Sequence, residues 1–359
     1  MKAAVFHGPG QPLTIEEIDI AKPIGREVLV RTVASGVCHS DLHFIEGLYP
    51  FPAPAILGHE AAGIVEAVGP YATEFQPDDH VIACLSVFCG HCEYCLTGRT
   101  HLCQRRPVRA TTEPPKLSWN GAAVNQFANL SAYAEQMLVH ESGLVKVRDD
   151  MPLDRAALIG CGVTTGVGAV LNTARVEAGT TVAVYGAGGV GLAVIQGAAI
   201  AGARMIIAVD VVAPKLTTAR ALGATHTIDA STTDPVAAIR ELTGFGADYA
   251  FEAIGLKKAA EQAFDCLRPG GTATIIGMIP VGQTIELDGP SFLREKKVQG
   301  CSMGSNRFKV DMPRYVELYR QGRLKLDEMI TRRGRLEDVN EAFRAMKAGE
   351  MARTVLVFD

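Results

Sequence analysis

Apolar residues in the second half of the chain fall into short runs that are separated by helix-like segments. The apolar runs predict buried strands at 181–185, 204–209, 224–228, 248–253 and 272–276. The intervening segments predict helices, which include 192–201, 235–242 and 257–267. Because strands and helices alternate, this half is predicted to form an open parallel sheet with helices on both faces.

The first part of the chain, to about residue 147, has a different pattern. Short β-like runs at 27–34 and 59–68 are interrupted by turn signals such as Gly8-Pro9-Gly10 and Gly69-Pro70. This pattern predicts a compact, mostly β unit of irregular topology. The length of 359 residues exceeds one ordinary domain, so two domains are expected.

Composition and charge narrow the possible partners. Hydrophobic residues make up 48% of the chain, and the formal net charge is −4 without a basic stripe, so nucleic acid is not an expected partner. The N-terminal residues lack the apolar stretch of a secretory signal, and no run approaches the roughly 20 uninterrupted apolar residues of a membrane span. We therefore expect a soluble, cytoplasmic protein whose thiols stay reduced, with no membrane partner.

Four closely spaced cysteines form the clearest chemical signal, and they are Cys89, Cys92, Cys95 and Cys103. Short steps of this kind let thiolates surround one tetrahedral zinc ion at about 2.3 Å from each sulfur. Ligation by four sulfurs leaves no open position, so the predicted zinc is structural. Scattered buried thiols and a disulfide knot are the alternatives. The clustering of four of the nine cysteines within fifteen residues disfavours the first, and the missing signal peptide disfavours the second.

A second candidate metal site combines Cys38, His59 and Cys161. Two cysteines and one histidine match the ligand set of a catalytic zinc, which keeps its fourth position for water or substrate. Each residue alone has an ordinary interpretation, because a cysteine between glycines is usually a packed residue and a lone histidine usually belongs to a turn. The combination with the four-cysteine cluster favours zinc.

A glycine-rich motif follows the predicted strand 181–185, and it consists of Gly186, Ala187, Gly188, Gly189, Val190 and Gly191. A helix and a second strand come next, and Asp210 ends that strand about 20 residues further on. This order is the fingerprint of a dinucleotide-binding unit. Gly186 makes the tight turn, Gly188 lets the backbone approach the pyrophosphate, and Gly191 lets the helix pack closely on its strand.

The residue at position 210 favours NAD over NADP. A carboxylate there accepts hydrogen bonds from the ribose hydroxyls and repels a 2′-phosphate. Val211 and Val212 follow Asp210, so no arginine stands next to it to hold that phosphate. Lys215 could reach the ribose edge, although a solvated helix lysine is the alternative interpretation.

The motifs GVCHSDLH, GHE, GCGVTTG, GAGGVG and ARTVLVF, together with the four-cysteine segment, resemble the zinc-containing alcohol dehydrogenases of the medium-chain dehydrogenase/reductase superfamily. The resemblance covers essentially the whole chain. It implies an α/β protein with a mostly β, GroES-like catalytic domain formed by 1–162 and 303–359. A Rossmann domain with a doubly wound parallel sheet, which binds NAD, is implied for 163–302.

The resemblance also assigns roles around the catalytic zinc. Cys38, His59 and Cys161 are implied as its ligands, and Glu60 as a carboxylate that can approach the metal. Asp41 is implied to orient the zinc-binding histidine. Ser40 is implied to hydrogen-bond the substrate oxygen and to take its proton. The proton then passes through the nicotinamide ribose to His43 and to solvent.

Further residues are implied in coenzyme binding: His39 and Arg353 at the pyrophosphate, and Gly186, Gly188, Gly189, Val190, Gly191, Asp210 and Lys215 in the nucleotide fold. The implied reaction is reversible hydride transfer from an alcohol to NAD, which gives an aldehyde or ketone and NADH. Two zinc ions per chain are implied, one catalytic and one structural.

Leu85 and the small Ser40 at family pocket positions imply room for a bulky primary alcohol, aromatic or allylic. The long segment 104–130 implies a homo-oligomer, with a dimer favoured over a tetramer. One alternative function is a formaldehyde dehydrogenase that acts on a thiol adduct such as S-hydroxymethylglutathione. The other is a non-catalytic, zinc-stapled nucleotide-binding protein.

Overall fold

The computed structural model describes residues 1–350 and 353–358. In chain order the strands of the described residues are β1 (Lys2–Phe6), β2 (Thr14–Glu17), β3 (Asp19–Ile20), β4 (Glu27–Gly36), β5 (Ala55–Ile56), β6 (Ala61–Val68), β7 (His80–Ala83), β8 (Leu117–Trp119), β9 (Ala122–Ala123), β10 (Asn125–Gln126), β11 (Gln136–His140), β12 (Leu144–Lys146), β13 (Thr181–Tyr185), β14 (Met205–Asp210), β15 (His226–Asp229), β16 (Ala247–Glu252), β17 (Leu267–Ile275), β18 (Lys297–Gly300), β19 (Arg332–Gly334) and β20 (Thr354–Val357). The helices are α1 (His39–Ile45), α2 (Glu93–Leu96), α3 (Leu153–Leu158), α4 (Thr164–Gly168), α5 (Gly189–Ile200), α6 (Ala213–Ala221), α7 (Pro235–Thr243), α8 (Lys257–Asp265), α9 (Phe308–Arg320) and α10 (Val339–Lys347).

The chain divides into two compact units. The first comprises Met1–Cys161, Arg307–Gln321 and Ile330–Asp359, and the second comprises Gly162–Asn306 and Gly322–Met329. Both units are therefore discontinuous in sequence, whereas the family resemblance implies this only for the first. The segment 322–329 belongs to the second unit because the buried side chain of Gln196 bonds both backbone groups of Lys325, at 2.7 and 3.2 Å.

Antiparallel sheets dominate the first unit. One sheet has the order β12-β7-β6-β4-β20-β19, and β11 also pairs with β4. A four-stranded sheet has the order β10-β5-β1-β2, and a small one the order β3-β8-β9. The late strand β20 joins this unit because Val355 to Val357 pair with the end of β4, which is why the C-terminal segment returns to the N-terminal fold.

The second unit contains one six-stranded sheet, in which every neighbouring pair is parallel. Its strand order is β15-β14-β13-β16-β17-β18, so the order reverses between β13 and β16. Apolar residues of the central strands, such as Ala183, Ile207 and Ala250, pack against Phe264 of α8 in one core. The structure confirms the predicted parallel α/β unit, although α5 begins at Gly189, three residues earlier than expected, with Gly188 at its N-cap position.

One helical stretch, Leu153–Ala174, is long and apolar enough to cross a membrane by length and composition alone. Of its most apolar window, 83% is buried inside the protein, as is usual for a core helix. A π-helical turn at Ile159–Val163 joins α3 to α4, and a second π-helical turn at Ala169–Ala174 follows α4.

The start of α5 provides a stability prediction. A Cβ atom at Gly191 would lie 1.7 Å from the carbonyl oxygen of Gly186, whereas a Cβ at Gly188 would meet no atom within 4 Å. Gly191→Ala is expected to lower the free energy of unfolding by about 3 kcal/mol, since a backbone atom cannot yield as a side chain does. Thermal unfolding of both variants checks this. Gly188→Ala is the control, and equal shifts of the two midpoints would contradict the expectation.

Candidate active site

Three ligand-type side chains converge in the first unit. Cys38 precedes α1, His59 precedes β6, and Cys161 lies in the π-helical turn after α3. Their candidate ligand atoms all lie within 4.8 Å of one another. The residues are only 3%, 2% and 5% exposed, so the cluster is nearly closed to solvent. The structure thus brings together the three residues proposed from the sequence as one set.

Local backbone features explain how Cys161 reaches this position. A π-helical turn shifts side chains out of the regular helical phase, and such turns are frequent at functional sites. A Cβ atom at Gly160 would lie 2.8 Å from the carbonyl oxygen of Ala83. Glycine therefore allows the turn to lie directly against β6 and β7, which carries Cys161 toward His59.

Asp41 orients the imidazole of His59 through the ring nitrogen opposite the one that faces Cys161. Its Nδ1 lies 3.0 Å from Oδ1 of the fully buried Asp41, while its Nε2 lies 3.2 Å from the sulfur of Cys161. With Nδ1 donating to the carboxylate, Nε2 is the atom available as a ligand. Burial alone would lower the pKa of His59, but Asp41 and Cys38 outweigh this effect and raise the pKa well above its ordinary value.

The two thiols of the cluster are not equivalent. A hydrogen bond between them lowers the pKa of Cys38 well below its ordinary value and raises the pKa of Cys161. Zinc is bound by thiolates and neutral imidazole, commonly as two cysteines and one histidine in catalytic sites. The donor chemistry, the mutual distances and the orientation of His59 therefore fit a zinc ion.

A buried ion pair lies beside this cluster. The guanidinium of Arg353 binds the carboxylate of Glu60, and its Nη1 donates to the carbonyl of Val37 at 3.4 Å. Glu60 is fully buried and Arg353 is 6% exposed. A Cβ atom at Gly36 would lie 2.0 Å from Oε1 of Glu60, so this glycine provides the space for the carboxylate. Sequence reasoning did not identify the role of Gly36.

The residues expected in the proton relay lie on α1. Ser40 and His43 are three residues apart and so share a helix face. Ser40 is half-buried, and His43 is 9% exposed. Nδ1 of His43 is buried and has no hydrogen-bond partner among the described residues. Burial and the nearby His39 lower the pKa of His43. His39 itself is exposed, and its ring lies 5.3 Å from that of His43.

An aromatic cluster adjoins His59. Its members come from separate segments, so no spacing pattern along the chain indicates it. The ring of Phe127 lies 5.9 Å from the imidazole of His59. Phe44 and Phe51 pack edge-on against Phe127 at 4.8 and 5.1 Å. Tyr49 extends the cluster toward His43, at 6.1 Å. Phe127 brings the segment 104–130 into this cluster.

The four cysteines proposed as a structural zinc site also converge. Their sulfur atoms lie within 4.8 Å of one another, and the sulfurs of Cys92 and Cys95 are 3.4 Å apart. All four are free thiols, so the structure contains no disulfide knot among them. The backbone amide of Cys95 helps to lower the pKa of Cys92 to about 6. Four thiol donors at these distances fit a tetrahedral zinc ion.

In the second unit, the glycine-rich motif connects β13 to α5. Gly186 has φ of +96°, which favours glycine, and Gly191 packs on its carbonyl oxygen. The space around Gly188 is open, and Gly189 and Val190 form the first turn of α5. Exposed backbone amides at a helix start are suited to a pyrophosphate.

Asp210 is tied to this motif. Its carboxylate accepts hydrogen bonds from the amide of Ala187 at 2.7 Å and from those of Val211 and Val212 at 2.8 and 3.0 Å. The end of β14 and the glycine-rich turn are thereby fixed to each other. Lys215 lies half-buried on α6.

Glu252, at the end of β16, is a second strand-end carboxylate that sequence reasoning missed. It is fully buried and accepts hydrogen bonds from the amides of Ile254, Gly255 and Gly277 at 2.8, 2.7 and 3.2 Å. It thus joins the loops that follow β16 and β17, next to the reversal of strand order where such sheets bind ligands. Its signal in the sequence is only an acidic residue directly after an apolar run.

Two protein families match the chain. The alcohol dehydrogenase GroES-like domain matches residues 25–149, and the zinc-binding dehydrogenase domain matches residues 189–319. An alcohol dehydrogenase class-3 from Oryza sativa subsp. japonica is 39% identical over 100% of this chain and 97% of its own length. An NDMA-dependent alcohol dehydrogenase from Amycolatopsis methanolica is 40% identical over 99% of this chain and 98% of its own.

Solved structures agree with these matches. The benzyl alcohol dehydrogenase from Acinetobacter calcoaceticus superposes with a TM-score of 0.94 at 35% identity, covering 100% of this chain and 99% of that one. The resemblance inferred from the motifs is therefore confirmed. The chain belongs to the zinc-containing alcohol dehydrogenases of the medium-chain dehydrogenase/reductase superfamily, and it is an oxidoreductase.

Proposed function

We propose that this enzyme transfers hydride reversibly between NAD and a primary alcohol with a bulky aromatic or allylic group, using two zinc ions per chain. The observation that carries the proposal is the buried cluster of Cys38, His59 and Cys161, with the aromatic ring of Phe127 against His59. The cluster supports the proposed chemistry, and the aromatic neighbours support the proposed substrate class.

Two separate groups of residues would bind the two zinc ions. Cys38, His59 and Cys161 would hold the catalytic ion through two sulfurs and Nε2, which leaves a fourth position open. Cys89, Cys92, Cys95 and Cys103 would hold the structural ion. When bound, zinc acts as a Lewis acid on the alcohol oxygen, and NAD accepts the hydride.

The chain itself must remove the proton of the alcohol. Ser40 Oγ would accept that proton, and a histidine on the same helix face would take it onward. Nδ1 of His43 lacks a partner among the described residues, so it is available for this transfer. Burial and His39 lower the pKa of His43, so its ring is neutral and able to accept a proton at neutral pH.

Electrostatics at the second unit support NAD. Asp210 presents a carboxylate at the end of β14 with one lone-pair position beyond the three amides that it binds. A ribose hydroxyl can donate to that position, whereas a 2′-phosphate would be repelled. Lys215, half-buried on α6, would supply positive charge near the ribose. Arg353 reaches Glu60, so its expected contact with the pyrophosphate would require this ion pair to be shared or broken.

Aromatic rings stabilise one another edge-on by about 0.5–1.5 kcal/mol beyond simple burial. The group formed by Phe44, Phe51 and Phe127 already packs in this manner. An aromatic alcohol could add its ring to the group. The name of the benzyl alcohol dehydrogenase from Acinetobacter calcoaceticus is in agreement with this substrate class.

A second candidate function is formaldehyde oxidation through a thiol adduct. The class-3 names of the plant relatives favour it, and Arg105 and Arg106 follow Cys103 as possible partners for the carboxylates of such an adduct. Arg109 is already engaged by Glu27. Assays with formaldehyde in the presence and absence of glutathione separate the two functions, because only the adduct pathway requires the thiol.

We also propose that the enzyme is a dimer. Strand β18 lies at the edge of its sheet, and nearby Leu293, Val281 and Phe292 are 91%, 66% and 47% exposed. Exposed apolar side chains beside an open strand edge favour pairing with a second copy. Light scattering in solution is expected to give twice the chain mass of 38.2 kDa.

The metal assignment predicts two zinc ions per chain. Cys161→Ser is expected to retain one ion and to lose turnover, because the three-residue site loses a thiolate. Cys95→Ser is expected to lose the other ion and to unfold at a lower temperature, since structural zinc contributes directly to stability. Elemental analysis and thermal unfolding check this. A single zinc in the unaltered enzyme would indicate the non-catalytic, zinc-stapled protein instead.

The proton path predicts separate effects for two residues. Ser40→Ala is expected to lower kcat by about 100-fold or more while both zinc ions remain bound. His43→Gln is expected to lower activity mainly near neutral pH, because hydroxide can remove the proton at higher pH. Profiles of kcat against pH check both. Unchanged profiles would refute the path.

The aromatic cluster predicts a change in selectivity. Phe127→Leu is expected to lower kcat/KM for benzyl alcohol about 2- to 10-fold and to leave kcat/KM for ethanol nearly unchanged. The matched control is Phe308→Leu, a fully buried phenylalanine of α9 in the same unit. Equal losses for both alcohols in the Phe127 variant would show that the ring serves packing alone.

A further inference from the structure

Tyr133 is a buried tyrosine to which neither the sequence nor the proposed proton path assigns a role. Its side chain is fully buried, and its hydroxyl donates a hydrogen bond to Oδ2 of Asp41 at 2.7 Å. Oδ1 of the same carboxylate lies 3.0 Å from Nδ1 of His59 and accepts from the amide of Gly58 at 3.2 Å. Asp41 is thus held by three different groups, of which Tyr133 alone contacts Oδ2.

The hydrogen bond from the Tyr133 hydroxyl matters because few other groups offset the cost of burying the charge of Asp41. The carboxylate is fully buried, and its only ion pair among the described residues is with His59. A buried carboxylate is costly unless both oxygens are hydrogen-bonded. Without Tyr133, Oδ2 would have to find another donor, and rotation toward one would draw Oδ1 away from His59.

The backbone holds Tyr133 at a fixed distance from the cluster. The amide of Tyr133 donates to the carbonyl of Leu57 at 3.0 Å, and the amide of Ala132 donates to the carbonyl of Gly58 at 2.9 Å. The carbonyl of Tyr133 accepts from the amide of Ala4 at 2.8 Å. The backbone at 132–133 is therefore hydrogen-bonded to residues 57–58, which directly precede His59.

The ring also packs on that segment. Gly58 has φ of +89°, and a Cβ atom there would lie 2.6 Å from the amide nitrogen of Tyr133 and 2.8 Å from its Cδ1. Only glycine permits this close approach. Tyr133 consequently touches both supports of His59, which are the preceding backbone and the carboxylate that binds Nδ1.

We infer that Tyr133 is a positioning residue for the catalytic metal site: through Asp41 it fixes the His59 imidazole with Nε2 directed toward Cys161. The inference rests on the proposed function, since it assumes that Cys38, His59 and Cys161 hold zinc. Groups that orient a ligating histidine typically change metal affinity 10- to 100-fold when removed. Because Tyr133 acts through one further residue, the expected loss is on the order of tenfold.

The test compares Tyr133→Phe with the unaltered full-length enzyme. Chelator competition measures the zinc affinity of the three-residue site, and the visible spectrum of the Co²⁺-substituted enzyme reports its geometry. Tyr133→Phe is expected to bind zinc about tenfold more weakly at this site, to shift the cobalt bands, and to keep its structural zinc. The control is Tyr315→Phe, a buried tyrosine of α9 in the same unit, which is expected to change neither readout.

A double-mutant cycle identifies the route of the effect. If Tyr133 acts through Asp41, adding Tyr133→Phe to Asp41→Asn causes little further loss of zinc affinity, whereas independent effects would multiply. Multiplying effects, or an unchanged zinc affinity and cobalt spectrum in Tyr133→Phe, would overturn the inference. A single zinc in the unaltered enzyme would instead refute the proposed function.

If Tyr133→Phe does not fold, replacement of Tyr133 by 4-aminophenylalanine keeps a donor at the same ring position. This variant is expected to retain zinc affinity within about twofold of the unaltered enzyme, because Oδ2 of Asp41 stays hydrogen-bonded. A tenfold loss in a folded 4-aminophenylalanine variant would equally overturn the inference.

Discussion

The buried carboxylate of Asp41 is the constraint around which the site of the first unit is arranged. It has no access to water, so its oxygens must be satisfied by protein donors. Those donors are the imidazole of His59, the amide of Gly58 and the hydroxyl of Tyr133. Meeting this requirement orients the imidazole of His59 and directs its Nε2 toward the thiol of Cys161. The need of the buried Asp41 carboxylate for hydrogen-bond donors thus sets the orientation of the His59 ring.

A second buried charge pair completes the surroundings of the cluster. Glu60 and Arg353 bind each other, and the guanidinium also lies near the thiol of Cys38. A buried ion pair of this kind is stable only while both members remain, because removing one leaves an uncompensated charge. Arg353 directly precedes the C-terminal strand β20. Pairing of β20 with β4 therefore holds Arg353 at the site as well as completing the sheet.

In the second unit the main constraint is steric, because the turn after β13 and the start of α5 approach each other closely. Gly186 and Gly191 let the turn after β13 fold onto the start of α5, and Asp210 holds that turn to β14. These features keep the helix start open beside Gly188, where a pyrophosphate can bind. The buried carboxylate of Glu252 is likewise satisfied by backbone amides, those of Ile254 and Gly255.

The parallel α/β unit, the glycine-rich motif with Asp210 and the four-cysteine cluster could be predicted from the sequence, because each depends on periodicity or on short spacings. Residues whose roles depend on contacts between distant segments were decided only by the tertiary structure. Cys38, His59 and Cys161 could be grouped by chemistry and family resemblance, but the π-helical turn that aligns Cys161 has no local signal. Phe127 and Tyr133 gained their roles only through packing against His59 and Asp41, because burial and hydrogen-bond partners depend on which strands lie side by side.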